Sequence, residues 1–288
     1  MKTSELFQHK KVLSFEIFPP KQTENLAAIY QTVNALKELA PDFISVTFGA
    51  LGTKNNQRTL DIASTVKHTY GVESVAHLPS SQFTKRDVQD LLTRFKQLGI
   101  DNILALRGDD ITEHKEKKDF HYASDLVEYI KSEGDFNIIG ACYPEGHIES
   151  VSKLDDVRHL KEKVDSGCDQ LISQLFFDND YFYTFKERTE LVGIDVPIQA
   201  GIMPVVNKRQ IEKMVKMCGV NVPKKFLKMM ERYEHHPEAM RDAGIAYAID
   251  QIVDLITQGV DGIHLYTMNN PYIAHRIYQA VNQLLVAS

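Results

Sequence analysis

Short hydrophobic runs, rich in β-branched and aromatic residues, recur along the whole chain and alternate with longer amphipathic stretches. Apolar runs of about four to eight residues, bounded by polar or turn residues, are typical of strands that are buried on both faces. Such runs predict eight β-strands, at 12–18, 43–49, 73–78, 102–108, 137–144, 170–177, 197–204 and 262–269.

Helical periodicity fills the intervals between these strands. After the first run, Ile29, Val33 and Leu36 recur at the spacing that places them on one face of a helix. After the third run, Thr84 and Asp87 have the spacing of a capping box and predict the start of another helix. The chain is therefore predicted to alternate strand and helix from one end to the other.

This alternation predicts the fold class. Eight strand–helix units in 288 residues indicate an α/β protein, a (β/α)8 TIM barrel that forms a single catalytic domain over residues 1–288. The connection 207–260 is long enough for two or three extra helices between strands seven and eight. The alternative is an open doubly wound sheet, but its G-x-G-x-x-G fingerprint is absent after the first strand.

Composition and charge narrow the class of protein. The net charge of -6 argues against nucleic-acid binding, which requires a basic surface. The three cysteines, Cys142, Cys168 and Cys218, are too few and too widely spaced for a disulfide framework or a Cys-x-x-Cys metal site. No apolar run reaches the roughly 18 residues of a membrane span, and the N-terminus lacks a secretory h-region. We expect a cytoplasmic protein with no membrane or nucleic-acid partner.

A carboxylate stands in the middle of the first predicted strand, in the stretch V-L-S-F-E-I-F-P-P at 12–20. Glu16 has Phe15, Ile17 and Phe18 around it, and burying a charge is costly unless the group is paired or neutralised. Glu16 is therefore either half of a structural ion pair, with a barrel arginine for example, or a carboxyl group kept for chemistry.

Polar residues also stand at the ends of the other strands. The C-terminal ends of barrel strands meet at one rim, where TIM-barrel enzymes place their active sites. The groups that converge there are Glu16, Thr47, His77, Arg107, Gly108, Asp109, Tyr143, His147, Gln174, Asn207, Tyr266, Thr267 and Asn269. Such a set predicts a small-molecule pocket.

Several of these residues have structural interpretations as well. A buried histidine such as His77 is more often a satisfied core residue than a catalyst. Asp109 has the residue type of a helix cap. His235 and His236 lack further ligands at a suitable spacing, so no metal site is expected.

A set of motifs in one order gives the chain a resemblance to a known family. From the first strand to the last, it resembles the bacterial methylenetetrahydrofolate reductases. The motifs are S-F-E-I-F-P-P-K (14–21), A-L-R-G-D (105–109), Y-P-E-G-H (143–147), Q-L-F-F-D (174–178), G-I-M-P-V (201–205) and L-Y-T-M-N (265–269). The resemblance implies a homo-oligomeric TIM-barrel flavoprotein that carries FAD. It also implies reduction of 5,10-methylenetetrahydrofolate to 5-methyltetrahydrofolate with NADH or NADPH, by a ping-pong hydride relay through FAD.

The resemblance also implies roles for individual residues. Glu16 takes the place of the general acid and Asp109 that of a second catalytic residue near the flavin and the pterin. The implied cofactor-binding residues are Thr47, His77, Arg107, Gly108, Asp109, Tyr122, Ala123, Tyr143, His147, Asp156 and Lys163. The implied substrate-binding residues are Glu16, Asp109, Gln174, Gln210 and Tyr266. The chain departs from relatives at His159, Glu162 and Met214, which stand where some carry asparagine, arginine and phenylalanine.

Two other classes of function remain open from the sequence. One is a flavin-free TIM-barrel lyase or aldolase that uses Glu16 and His77 as acid and base. The other is a non-enzymatic binding barrel, which the density of polar groups at the rim disfavours. The colour of the purified protein separates the first alternative from a flavoenzyme.

Overall fold

Eight parallel strands close into a barrel, in the order in which they occur along the chain. The structure, a computed structural model, describes residues 1–20, 26–48, 53–81, 83–108 and 119–287, with 53–56, 210 and 213 described by their backbone alone. The strands are β1 (Val12–Ile17), β2 (Phe43–Val46), β3 (Glu73–Pro79), β4 (Asn102–Leu106), β5 (Asn137–Cys142), β6 (Gln170–Ser173), β7 (Ile198–Ile202) and β8 (Gly262–Tyr266). The predicted TIM-barrel fold is confirmed.

Helices follow the strands and surround the barrel. They are α1 (Leu26–Lys37), α2 (Thr53–His68), α3 (Lys85–Gln97), α4 (Ala123–Glu133), α5 (Lys153–Asp165), α6 (Asn179–Leu191), α7 (Lys208–Cys218), α8 (Lys224–Tyr233), α9 (Pro237–Thr257) and α10 (Pro271–Val286). The long connection between β7 and β8 holds α7, α8 and α9, as predicted. In the described ranges no helix is both long and apolar enough to cross a membrane.

All strands except β3 end earlier than their apolar runs predict, and the reason is clearest for β6 and β8. The run at 170–177 continues past Ser173 because Phe176 and Phe177 are core residues of the following loop, where Phe176 stacks on Phe182 and Phe177 on Phe226. In the run at 262–269 the strand ends at Tyr266, because Met268 and Asn269 adopt left-handed backbone conformations, with φ of 51° and 55°. Hydrophobicity predicts burial in both places, but the backbone has already turned.

The two faces of each strand have different neighbours, which explains the alternation around Glu16. Val12 packs inside the barrel with the interior residues of other strands, whereas Phe15 and Ile17 belong to the large core between barrel and helices. Side chains two residues apart share a face of a strand, so Ser14 and Glu16 face the barrel interior with Val12. Glu16 therefore stands at the upper end of the interior, not in the helix-facing core.

An N-terminal 3₁₀ helix, Thr3–Gln8, covers the opposite end of the barrel. Thr3 donates from its backbone N–H to Asn102 Oδ1 at 2.9 Å and from its hydroxyl to Gln170 Oε1 at 3.0 Å, and it accepts from Asn137 Nδ2 at 2.9 Å. These three partners are the first residues of β4, β5 and β6. The N-terminal segment thus seals the barrel at the end away from the predicted site.

The predicted capping box at the start of α3 is present and carries a stability prediction. Thr84 Oγ1 accepts from the Asp87 N–H at 3.2 Å, and Asp87 Oδ2 accepts from the Thr84 N–H at 2.8 Å. Thr84→Ala removes one side of this exchange and is expected to lower the free energy of unfolding by about 1 kcal/mol. Urea denaturation measures the loss.

Thr93→Ala, on the exposed face of the same helix, is the matched control. Thr93 bonds only within the helix, to the Gln89 carbonyl, and alanine has the higher helix propensity, so this variant should be at least as stable as the parent. Equal losses in the two variants would contradict the assignment of a capping role to Thr84.

Candidate active site

A cavity of about 360 Å³ opens at the C-terminal end of the barrel strands. It is lined by Glu16, Thr47, His77, Leu104, Leu106, Arg107, Gly108, Ala141, Tyr143, His147, Ile172, Gln174, Leu175, Met203, Met214, Tyr266 and Met268. Most of the residues that the sequence placed at the rim therefore share one pocket with a wall of aliphatic and methionine side chains, whereas Asn207, Thr267 and Asn269 do not line it. This combination suits a large, partly aromatic ligand.

Glu16 stands on the floor of this cavity, and its side chain is 19% exposed. Its Oε2 lies 3.6 Å from His77 Nε2 and 3.8 Å from His264 Nε2. The Thr267 hydroxyl donates to the Glu16 carbonyl at 2.7 Å and fixes the backbone beneath it. In the part of the chain that the structure describes, the ion-pair partners of Glu16 are these two histidines, so the arginine pairing considered from the sequence is not seen there.

His77 is buried and uncharged near neutral pH. Burial lowers the pKa of its imidazole to about 4, and the nearby Glu16 carboxylate opposes that shift only in part. Its Nε2 has no hydrogen-bond partner among the described residues. His77 therefore places a neutral polar group beside Glu16, with one ring nitrogen unpaired among the described residues.

The low pKa of His77 predicts a loss of stability in acid. Between pH 6.5 and about 4 the unfolded chain binds a proton at this residue and the folded protein does not, so lowering the pH favours unfolding. The full difference corresponds to about 3 kcal/mol, at about 1.4 kcal/mol for each pKa unit. Urea denaturation at pH 7 and at pH 4.5 measures the acid-induced loss in the free energy of unfolding. In His77→Gln this loss should be smaller by most of the His77 contribution.

Exposed His121 supplies the control for that experiment. His121→Gln should retain the acid sensitivity of the parent protein. If His77→Gln loses stability with falling pH as steeply as the parent does, the histidine is not held neutral in the folded state.

The end of β4 brings a cation and a close backbone approach to the cavity. Both terminal nitrogens of Arg107 bind the Glu149 carboxylate, at 2.5 Å and 2.8 Å, and this pairing holds the pKa of Glu149 below its usual value. Gly108 has a φ of +82°, and a Cβ there would lie 2.7 Å from Ser81 Oγ and 2.8 Å from Pro79 Cβ. Only glycine fits this turn, which lets the backbone border the pocket directly.

The loop after β5 is organised from below by Asp156. Its Oδ1 accepts from the His147 N–H at 3.1 Å and from the Ser150 hydroxyl at 2.8 Å. Burial, reinforced by the Asp156 carboxylate, raises the pKa of Tyr143 to about 12, so its hydroxyl stays protonated. Burial and the charge of Arg107 lower the pKa of His147. Asp156 therefore holds the loop that presents Tyr143 and His147.

Other residues implied by the resemblance lie around the cavity without lining it. Lys163 reaches from α5 to the Ala141 carbonyl, beneath the cavity wall. Ala123 begins α4, and Tyr122 precedes it with an exposed side chain. Asp156 is buried in the loop contacts given above. These four residues border a ligand only if it extends beyond the cavity, as a dinucleotide would.

The residues implied for folate binding are placed unequally. Tyr266 lines the cavity next to Glu16 in the β1–β8 register, and its hydroxyl donates to the Ser173 carbonyl at 2.7 Å. Gln174 lines it as well, with Oε1 accepting from the Leu175 N–H. Asp109 and the side chain of Gln210 lie outside the described residues. Gln210 belongs to α7, the helix that brings Met214 to the cavity.

Sequence reasoning missed His264, which lies in the middle of β8 and is fully buried. The signal was available: His264 is two residues before Tyr266, and this spacing places both side chains on the same face of the strand. Met203 and Met268 also line the cavity and were missed, because a methionine at a strand end is expected to belong to the hydrophobic core.

Comparison with known proteins identifies the family. The family profile described as methylenetetrahydrofolate reductase matches residues 2–282. The chain belongs to the methylenetetrahydrofolate reductase family. The predicted resemblance is thereby confirmed, and the protein is an enzyme of methylenetetrahydrofolate reduction.

Individual relatives of the methylenetetrahydrofolate reductase family agree with this assignment. The chain is 36% identical over 265 residues to the 5,10-methylenetetrahydrofolate reductase of Pectobacterium carotovorum, covering 92% of this chain and 88% of the relative. It is 35% identical over the same shares to the Escherichia coli K12 enzyme of that name. The probable NADH enzyme of rice is 34% identical over 90% of this chain, which spans 46% of the longer plant protein.

Among solved structures, one similar fold is an uncharacterized protein from Clostridium thermocellum that binds two copies of 5-methyl-5,6,7,8-tetrahydrofolic acid. The TM-score is 0.66 over 99% of this chain and 100% of the other, at 13% identity. At that identity the likeness concerns the barrel fold alone.

Proposed function

We propose that the chain, residues 1–288, is a single catalytic domain that reduces 5,10-methylenetetrahydrofolate to 5-methyltetrahydrofolate with NADH or NADPH, by a ping-pong reaction that uses FAD and Glu16 as general acid. The observation that carries the proposal is the setting of Glu16. Among the described residues that line the cavity, it is the only carboxylic acid. The cavity around it is lined by both polar and apolar side chains.

The substrate needs a proton donor at this point. Its methylene carbon bridges two nitrogens, and protonation of one nitrogen opens the ring to an electrophilic iminium. A positioned carboxylic acid contributes about 10²- to 10⁴-fold to such a proton transfer. Among the described residues no arginine or lysine lies within ion-pair distance of Glu16, and its neighbour His77 is neutral. Glu16 can therefore carry the proton to the folate nitrogen.

The donor set of the cavity fits FAD. Leu104, Leu106, Ile172 and Met203 form an apolar wall for a ring system, and Gly108 permits close backbone approach. Around them, Thr47, His77, Arg107, Tyr143 and His147 supply polar contacts, with Lys163, Asp156, Tyr122 and Ala123 farther out along α4 and α5. Bound FAD supplies the hydride transfer chemistry, which no amino-acid side chain provides. Asp109, in the same strand-end motif, is proposed as the second catalytic residue.

The folate contacts are proposed for Gln174, Tyr266 and Gln210. Tyr266 keeps its proton, because burial, with the Glu16 charge beside it, raises its pKa well above the usual value. A protonated phenol bound to the Ser173 carbonyl forms a rigid edge against which a pterin ring can pack. Gln174 offers an amide that can both donate and accept.

Three measurements test the proposal together. The purified protein should be yellow, denaturation should release FAD, and NADH or NADPH with methylenetetrahydrofolate should yield 5-methyltetrahydrofolate in a chromatographic assay. A colourless protein that neither takes up added FAD nor forms this product would contradict the proposal and favour the flavin-free lyase or aldolase. Anaerobic spectra with each nicotinamide identify the preferred donor.

A further inference from the structure

A buried amide in β7 has an orientation that its surroundings determine. Gln199 Nε2 lies 3.0 Å from Ser14 Oγ and 3.3 Å from the carbonyl oxygens of Val12 and Ile263. Turning the amide over would point its Oε1 at two carbonyl oxygens, which only accept hydrogen bonds. The NH2 group shares its two N–H bonds among these three acceptors, so Gln199 donates to this side and accepts from none of it.

This orientation determines which way the next hydrogen bond runs. Ser14 Oγ accepts from Gln199, and it lies 2.6 Å from His264 Nδ1, its partner in the β1–β8 register. A serine oxygen has two lone pairs and could accept from an Nδ1–H as well as from the amide, but its one proton would then have no acceptor among the described residues. Donation of that proton to Nδ1 leaves no such unpaired hydroxyl. His264 Nδ1 is then the acceptor nitrogen, so the ring carries its N–H proton on Nε2.

The proton on Nε2 points at the proposed general acid. His264 is fully buried, its Nε2 has no hydrogen-bond partner among the described residues, and it lies 3.8 Å from Glu16 Oε2. We propose that Gln199, through Ser14, is a positioning residue that fixes His264 in the Nε2–H tautomer, so that His264 can donate to Glu16 each time its carboxyl group loses a proton. The catalytic part of this inference rests on the proposed function, and the tautomer does not.

The cost of keeping Gln199 supports a role beyond packing. Its Oε1 is buried without a hydrogen-bond partner among the described residues. An apolar side chain of similar size would avoid that penalty, because a buried acceptor left unpaired is more costly than no polar group at all. What the glutamine supplies in return is the pair of Nε2 N–H donors, one of which binds Ser14.

Nitrogen NMR of protein labelled with ¹⁵N-histidine reads the tautomer directly, without substrate. The His264 signals, identified by their loss in His264→Gln, should show Nε2 protonated in the parent protein. In Gln199→Met the tautomer ratio should shift toward Nδ1–H by about tenfold, the effect of one lost hydrogen bond. A parent protein with the proton on Nδ1, or a Gln199→Met variant with an unchanged ratio, overturns the inference.

Gln170→Met is the matched control. Gln170 is an equally buried glutamine of the neighbouring strand, and its Nε2 has no partner in the described part of the chain. Its bond to Thr3 lies at the sealed end of the barrel. This variant should leave the His264 tautomer as it is in the parent. If Gln199→Met does not fold, Ser14→Ala interrupts the same chain of bonds, and the parent spectrum alone still decides.

Kinetic measurements on Gln199→Met test whether this residue supports proton transfer by Glu16. Gln199→Met should slow the folate-dependent step by about tenfold and leave the nicotinamide-dependent step unchanged, because only the former ionises Glu16. Equal slowing of both steps overturns the positioning role. A parent protein with the stated tautomer but no reductase activity would instead refute the proposed function alone.

Discussion

Replacing Glu16 by glutamine is expected to separate the two halves of the reaction. Glutamine keeps the size of the side chain and its hydrogen bonding but has no acidic proton. Oxidation of NADH with an artificial electron acceptor should survive within about tenfold, about 1.4 kcal/mol of barrier. Reduction of methylenetetrahydrofolate should fall by at least about 10², the contribution of a lost general acid. Stopped-flow kinetics with each acceptor measures both.

Glu73→Gln is the control for a buried carboxylate that has no part in the chemistry. Glu73 begins β3, at the sealed end of the barrel, where its side chain is 10% exposed and binds Lys67 at 2.8 Å. It should lose stability but keep both activities. A Glu16→Gln variant that reduces folate at the parent rate would show that Glu16 is not the acid.

Gly201→Ala is expected to produce the largest loss of stability among single-methyl changes at the site. A Cβ at this position would lie 2.1 Å from the Ser173 carbonyl oxygen and 2.9 Å from the Tyr266 hydroxyl. The carbonyl belongs to the backbone of β6 and cannot turn aside, so the strands must separate. We expect a loss of about 3 kcal/mol or more in the free energy of unfolding, with displacement of Tyr266.

Gly140→Ala, in β5, is the comparison. A Cβ there would meet only side-chain atoms, namely Cys168 Sγ and Leu171 Cδ2 at 3.0 Å each and Lys163 Cε at 3.4 Å. Side chains can shift by a few tenths of an ångström, so the loss should be smaller. Urea denaturation of both variants gives the difference, and equal losses would mean that the β6 backbone yields as easily as a leucine side chain.

The fold followed from the sequence because barrel strands are buried on both faces and appear as separate hydrophobic runs. The ends of the strands were harder to predict. After β6, for example, Phe176 and Phe177 extend the hydrophobic run although they belong to a loop, because that loop is also buried. The rim residues could be predicted for a similar reason: parallel strands bring Glu16, His77 and Tyr266 together whatever the details of packing.

What the sequence could not give are the contacts made across the barrel. His264 stands three strands from His77 in the closed barrel, and both imidazoles approach Glu16 only because the sheet closes. The orientation of Gln199 depends on carbonyl groups of β1 and β8, which hydrophobic patterning does not specify. The pairing of Arg107 with Glu149 likewise depends on how the loop after β5 folds back.

The seal formed by Thr3 and the first residues of β4, β5 and β6 limits how ligands enter and leave the cavity. With that end of the barrel closed and an apolar layer of Val12, Phe43 and Ile172 above it, the described residues leave Glu16 open to solvent at the opposite mouth. Reactants and products then use the same opening of the barrel. In the proposed reaction the nicotinamide and the folate use this same opening in turn, so we expect that an excess of either reactant slows turnover by occupying it.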